Sequence, residues 1–224
     1  MKRTPRSKQR GFTLVEIAVV LVIIGLLLGG VLKGQELINS ARVKALSQDF
    51  RNVPTLLYAY QDKFRALPGD DKSATTHLDS TALDGNGNGR IEGAWNTNSS
   101  NDESCKFWQH LRLGNMLAGT DTLTAGGTCG LQPPNAAGGT LGIETVYSGQ
   151  TAFISGMKGL TLCSDGIQGR LVRQLDQTMD NGDPATGSMR AAAYADGGLP
   201  TRGASAVSAT SLADSDVYVV CLEI

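Results

Sequence analysis

The hydrophobic pattern divides the chain into an oily stretch, an amphipathic stretch and a mixed body. Residues 12–32 read FTLVEIAVVLVIIGLLLGGVL, 21 residues with one charge, Glu16. About 20 apolar residues suffice for a helix to cross a bilayer. Beyond this run, apolar residues recur in steps of three and four at Leu37, Ile38, Ala41, Ala45, Leu46, Phe50, Val53, Leu57, Tyr60 and Phe64. That spacing marks one face of an amphipathic helix. The sequence Leu67-Pro68-Gly69-Asp70 is a stop-and-turn signal, so the helix is expected to end near Ala66. A helix over 12–66 would be roughly 80 Å long at 1.5 Å per residue. Pro54 should kink its second half or end a run of hydrogen bonds. Gly25, Gly29, Gly30 and Gly34 weaken the helix by about 1 kcal/mol each, while permitting close helix packing in a membrane.

Residues 67–224 predict an α+β domain with long loops, an antiparallel sheet carrying the amphipathic half of the long helix. Strands are expected at 142–147, 151–154, 160–163, 189–194 and 217–222, the last on the β-rich Val217-Tyr218-Val219-Val220-Cys221. Helices are expected at 103–117, with Phe107, Trp108, Leu111, Leu113 and Leu117 available for burial, and at 167–179. There is no internal repeat. The organisation predicted is a leader over 1–11, a membrane-spanning half-helix over 12–32, an amphipathic half-helix over 33–66, and a body over 67–224.

Charge sharpens this division. The net charge is −1, but residues 1–10 carry five basic side chains and no acid, residues 33–66 balance at +3 and residues 67–224 at −8. The basic leader should stay on the cytoplasmic side and the body cross to the other. An acidic body argues against tight binding to a nucleic-acid backbone. A removable secretory signal is disfavoured, because its apolar run is usually about 7–15 residues and ends in an Ala-x-Ala-like site that is missing here. A plain anchor leaves Glu16 unexplained. A carboxylate within an apolar span costs on the order of 2.5–3.5 kcal/mol near mid-bilayer and marks a functional candidate.

The residues Lys8-Gln9-Arg10-Gly11-Phe12-Thr13-Leu14-Val15-Glu16 resemble the cleavage signature of the type IV prepilins and type II secretion pseudopilins. The resemblance implies the pilin fold. It also implies that a prepilin peptidase of the inner membrane cuts between Gly11 and Phe12 and that the new amino group of Phe12 is methylated. Glu16 then pairs with the amino terminus of a neighbouring pilin subunit, which offsets the cost of both charges in a low-dielectric bundle and fixes axial register. Gly11 lets a protease approach the backbone closely. Many family members carry a proline where this chain has Lys33. The expected protein is a structural subunit, a minor pilin or pseudopilin of a type IV pilus or type II secretion pseudopilus. It would be held in the bacterial inner membrane with its body in the periplasm and then drawn into a filament. The rival readings are a membrane-anchored calcium-dependent binding protein that never assembles and a tethered periplasmic enzyme.

The calcium reading comes from Asp84-Gly85-Asn86-Gly87-Asn88-Gly89-Arg90-Ile91-Glu92, which follows the first half of a calcium loop. Asp84, Asn86, Asn88 and Arg90 hold the alternate ligand positions. The twelfth position is Trp95, so Glu92 or Glu103 would have to supply the missing carboxylate. The alternative is a flexible Asp/Asn/Gly turn. Such a loop followed by Glu103 and Phe107-Trp108-Gln109-His110-Leu111 also resembles a recurrent minor-pilin pattern. A second loop, 176–184, reads as a polar turn rather than an ion site. The four cysteines, Cys105, Cys129, Cys163 and Cys221, all lie in the body, and an even number on the exported side reads as disulfides. Three pairings are possible, of which Cys105–Cys129 and Cys163–Cys221 are favoured. Removing either bridge would cost roughly 2–4 kcal/mol.

No catalytic activity is expected. Ser155-Gly156-Met157-Lys158 fits Ser-x-x-Lys, but its companions Ser-Asp-Asn and Lys-Thr-Gly are absent. His77 and His110 are the only histidines, and His110 reads as a packing or surface residue. Gly85, Gly87 and Gly89 make no dinucleotide loop, since Glu92 stands where the third glycine belongs.

Overall fold

The computed structural model describes residues 12–195 and 197–224. The expected leader, residues 1–11, lies outside the described residues. The chain divides into two compact units, with the boundary after Ala41.

Helix α1 runs over Leu14–Phe64. In the first unit its side chains are mostly exposed, and it is long and apolar enough to cross a membrane. A Cβ added at Gly25, Gly29, Gly30 or Gly34 would meet nothing within 4 Å. Among the described residues nothing therefore requires glycine at these positions. Lys33 pairs with Glu36 at 2.6 Å on the exposed helix surface. Pro54 lies inside α1, which continues to Phe64. Proline removes one donor, and the flanking turns hold the helix, with the Thr55 hydroxyl donating to the Arg51 carbonyl at 3.1 Å.

The second unit is an α+β domain built on a four-stranded antiparallel sheet. The strands β1 (Leu141–Val146), β2 (Gly159–Gln168), β3 (Met189–Ala193) and β4 (Val217–Glu223) lie in the order β1-β2-β4-β3. Between β2 and β4 the register shifts from Ser164 to Ile167, where Gly166 takes a positive φ of 73°. Helices α2 (Ala74–His77), α3 (Glu103–Leu113) and α4 (Gly169–Met179) complete it.

Both faces of the sheet are covered, and the alternation of strand side chains shows how. Ile143, Leu162, Ala191 and Val220 point into the larger core, with Val43, Leu46, Phe50, Val53, Leu57 and Tyr60 of α1, Phe107, Trp108 and Leu111 of α3, and Leu171, Val172 and Leu175 of α4. Their neighbours Cys163, Ala192, Val219 and Cys221 point the other way, into a smaller core closed by Trp95, Phe153, Ile154 and Met157. Trp95 and Phe153 meet edge to face at 5.3 Å. Gly142 is required for this packing, because a Cβ there would lie 1.9 Å from the Trp95 carbonyl oxygen.

The strand expected at 151–154 does not form. That segment is a cover for the smaller core, touching Ala204 by a single bridge at Ile154. Its apolar residues are explained by burial rather than by sheet pairing. Helix α3 stops at Leu113, four residues short of the expected end, because Gly114 and Asn115 turn the chain and Asn115 adopts φ 59°. The disulfides are Cys105–Cys129 and Cys163–Cys221. Cys163 and Cys221 face each other directly across the β2–β4 ladder.

Candidate functional site

The start of α1 is a capping box. Thr13 is the residue before the first helical turn, and Glu16 is the third residue within it. The Thr13 N–H and hydroxyl both donate to Glu16 Oε2 at 2.8 Å, and the Glu16 N–H approaches Thr13 Oγ1 at 3.2 Å. This reciprocal arrangement satisfies helix-terminal donors that have no intrahelical partner. It also places an anion at the positive end of the helix dipole. The Thr-x-x-Glu signal of a capping box stands in the sequence at Thr13-Leu14-Val15-Glu16. Glu16 Oε1 makes no hydrogen bond among the described residues, so one oxygen is held and the other is open to an incoming donor. Phe12 is 84% exposed, and Gly11 lies outside the described residues.

Residues 6–32 match the prokaryotic N-terminal methylation motif. The chain carries the type IV pilin and pseudopilin signature. No curated protein and no solved structure matches the chain. The matched segment runs from the basic residues Arg6, Lys8 and Arg10 through the capping box to the end of the apolar stretch. The signature is that of structural subunits processed by a prepilin peptidase and assembled with other pilins. With one N-terminal apolar helix, it fits a membrane-anchored, pilus-associated protein. The α+β body is pilin-like in architecture as well.

The structure gives the acidic loop of the body a dense set of hydrogen bonds. Asp70 is 4% exposed, and its carboxylate accepts the N–H groups of Gly87 at 2.6 Å, Asn88 at 3.0 Å and Gly89 at 2.6 Å. Glu103 is buried at the start of α3 and accepts the N–H groups of Asn86 at 2.9 Å and Glu92 at 3.1 Å. Asp84 accepts the N–H and hydroxyl of Thr75, and Glu92 accepts the Asn86 side-chain amide. Arg90 lies over the ring of Tyr147 at 4.7 Å. Of the residues named from sequence, Asp84, Asn86, Glu92 and Glu103 are brought together, Asn88 and Arg90 are not, and Asp70 is an anchor that local sequence spacing does not reveal. Asp84, Asn86, Glu92 and Glu103 line one polar cavity of about 250 Å³, whose wall also carries the Lys106 ammonium group. Burial is the main force raising the Glu103 carboxyl above its ordinary value, with Asp70 and Glu92 adding to it against the two N–H donors. Among the described residues no group of three or more His, Cys, Asp or Glu side chains is arranged to hold a metal ion.

His110 joins the same region. Its Nδ1 accepts the Gly69 N–H at 2.9 Å and its Nε2 lies 2.9 Å from the Leu83 carbonyl. That pair of partners fixes the neutral tautomer with the proton on Nε2. Burial lowers its pKa, which keeps the ring in that form. His77 and Tyr60 both reach Asp71 Oδ2, at 2.7 and 2.8 Å. These are structural ties between loops and helices.

The second polar loop follows α4. Asp176 is fully buried, and its Oδ1 accepts the Gly182 N–H at 2.6 Å while Oδ2 has no partner among the described residues. Burial pushes its carboxyl up to about 6, and the charges of Asp180 and Asp183 push the same way. A raised acid binds its proton more tightly in the folded chain, so folding gains stability as pH falls through about 6 towards the ordinary carboxylate range. Thermal melts at a series of pH values should therefore show Asp176→Asn more stable than the wild type at pH 7. The difference should shrink by pH 5. Equal pH profiles for the two proteins would remove this account.

Proposed function

We propose that this chain is a filament subunit, a minor pilin or pseudopilin of a type IV pilus or a type II secretion pseudopilus. The observation that carries the reading is the methylation motif at residues 6–32 leading into one long helix, with Glu16 held at the helix start. Cleavage between Gly11 and Phe12 would leave an amino group on the residue preceding the capping box. In a bundle of such helices, the open oxygen of Glu16 can take the amine of a neighbouring copy, which removes two uncompensated charges from an apolar medium. The acidic body would face the periplasm and then the filament surface.

The test has two parts. Mass spectrometry of the native protein should find the mature chain starting at methylated Phe12. An intact leader or another start would overturn the reading. Glu16→Ala should still be cleaved, while its recovery in filaments falls about tenfold or more, the equivalent of one pairing of about 1.4 kcal/mol. Glu16→Gln separates the two roles of this residue, because glutamine also completes a capping box. Loss of assembly in both variants assigns the effect to charge pairing; loss in alanine alone assigns it to the helix start.

Calcium binding by the Asp84 loop is a separate proposal that rests on the sequence pattern. Calcium added to the chelated protein should then give heat on titration and a higher melting temperature. Neither change would be seen if the loop is held by its hydrogen bonds alone.

A further inference from the structure

The chain contains three Asn–Gly sequences, Asn86-Gly87, Asn88-Gly89 and Asn181-Gly182, and all three asparagines are exposed. This dipeptide is chemically fragile. The glycine nitrogen loses its proton and attacks the asparagine Cγ, the new N–Cγ bond expels ammonia, and water opens the resulting succinimide to aspartate or isoaspartate. Glycine favours the attack because no Cβ hinders the approach.

The fold treats the three sites alike. Each glycine N–H is bonded to a buried carboxylate at 2.6 Å: Gly87 to Asp70 Oδ1, Gly89 to Asp70 Oδ2 and Gly182 to Asp176 Oδ1. Each asparagine Oδ1 accepts the N–H two residues on, from Asn88, Arg90 and Asp183 at 3.0, 3.0 and 2.9 Å. Each glycine has a positive φ, 74°, 80° and 88°. Two of the side-chain amides are held at their nitrogens too, Asn86 by Glu92 at 3.0 Å and Asn181 by Thr186 at 2.9 Å.

We propose that Asp70 and Asp176 protect these three Asn–Gly sequences from deamidation by holding the glycine N–H groups away from the asparagine side chains. Two physical effects act together. The attacking nitrogen must first become an anion, and a carboxylate in contact with it disfavours that charge. The attack also needs the nitrogen and Cγ in a near-attack arrangement. Here the N–H points at the carboxylate and the side-chain oxygen is engaged elsewhere. Asp70 is 4% and Asp176 0% exposed, so water does not compete for either bond.

The experiment is peptide mass mapping of the purified full chain in detergent, incubated at mildly alkaline pH, folded and in denaturant. All three sites should convert at least about tenfold more slowly in the folded wild type than in the unfolded chain. Asp70→Ala should speed conversion at Asn86 and Asn88 and leave Asn181 slow. Asp176→Leu should do the reverse. Equal rates in the folded and unfolded wild type, or no change at the sites of the altered carboxylate, would overturn the proposal. A variant that unfolds will speed all three sites together. The Asp70→Asn and Asp176→Asn variants, which keep an acceptor oxygen and drop the charge, then carry the test. Asp70→Asn keeps only one of the two oxygens that hold Gly87 and Gly89, so acceleration at Asn86 or Asn88 with Asn181 slow supports protection, and wild-type rates at both refute it. For Asp176→Asn, acceleration confined to Asn181 supports protection, and a wild-type rate there refutes it.

Discussion

Replacing Trp108 by alanine should lower the stability of the body by about 3–5 kcal/mol. Trp108 is fully buried in the larger core, on the face of α3 that meets α1 and the sheet. Its ring meets Phe107 edge to face at 4.9 Å. Truncation removes the largest side chain of this layer and leaves a void that the surrounding strands and helices fill only in part. A domain of ordinary stability holds only about 5–15 kcal/mol in reserve, so the loss is a large share of the whole. Denaturant unfolding of the full chain in detergent should show a lower midpoint with an unchanged slope. Tyr58, 61% exposed on α1, supplies the contrast: Tyr58→Ala should stay within about 0.5 kcal/mol of the wild type. Similar effects from the two substitutions would contradict the packing described.

The second large effect is expected from Arg202→Ala, about 3 kcal/mol of destabilisation. Arg202 forms a two-pronged pair with Glu144 of β1, Nη1 to Oε1 at 3.0 Å and Nη2 to Oε2 at 2.5 Å. Glu144 is completely buried, whereas the arginine side chain is 30% exposed. Glu144 also accepts the Trp95 N–H at 2.9 Å, and Arg202 donates to the Thr151 carbonyl at 2.9 Å. The pair thus joins β1 to three covering segments of the smaller core. Removing the arginine leaves a carboxylate in an apolar layer with one N–H donor, and an uncompensated buried charge accounts for most of the loss. A double variant, Arg202→Met with Glu144→Gln, should recover much of the stability. If the double variant is no better than Arg202→Ala, stranded charge is not the cause.

What could be read from sequence follows the range of the interactions involved. The long helix, the four strands that form and helix α4 announce themselves through local periodicity, and their positions agree with the structure to within a few residues, except that β2 extends five residues beyond its expected end at Cys163. The disulfide pairs were one of three possible sets, and the structure forms the favoured one. The four-residue helix α2 was missed because so short a turn carries no periodic signal. Segment 151–154 has the composition of a strand, yet it covers the sheet instead of joining it. Only the three-dimensional position of Trp95 and Ala204 decides between those fates. The loop at 84–92 was legible as a special turn, but its anchors were not. Asp70 lies 17 to 19 residues before the amides it holds, and Glu103 11 to 17 residues after those it holds. Nothing in local spacing links them. The capping box was legible and needed only Thr13 to be read together with Glu16.

The apolar stripe on the second half of α1 has a practical meaning for anyone wishing to handle the body without its oily anchor. Val43, Leu46, Phe50, Val53, Leu57 and Tyr60 belong to the larger core. A fragment trimmed at the Leu67 turn would lose an entire wall of its interior. One begun just before Val43 would keep that wall while discarding the stretch that seeks lipid.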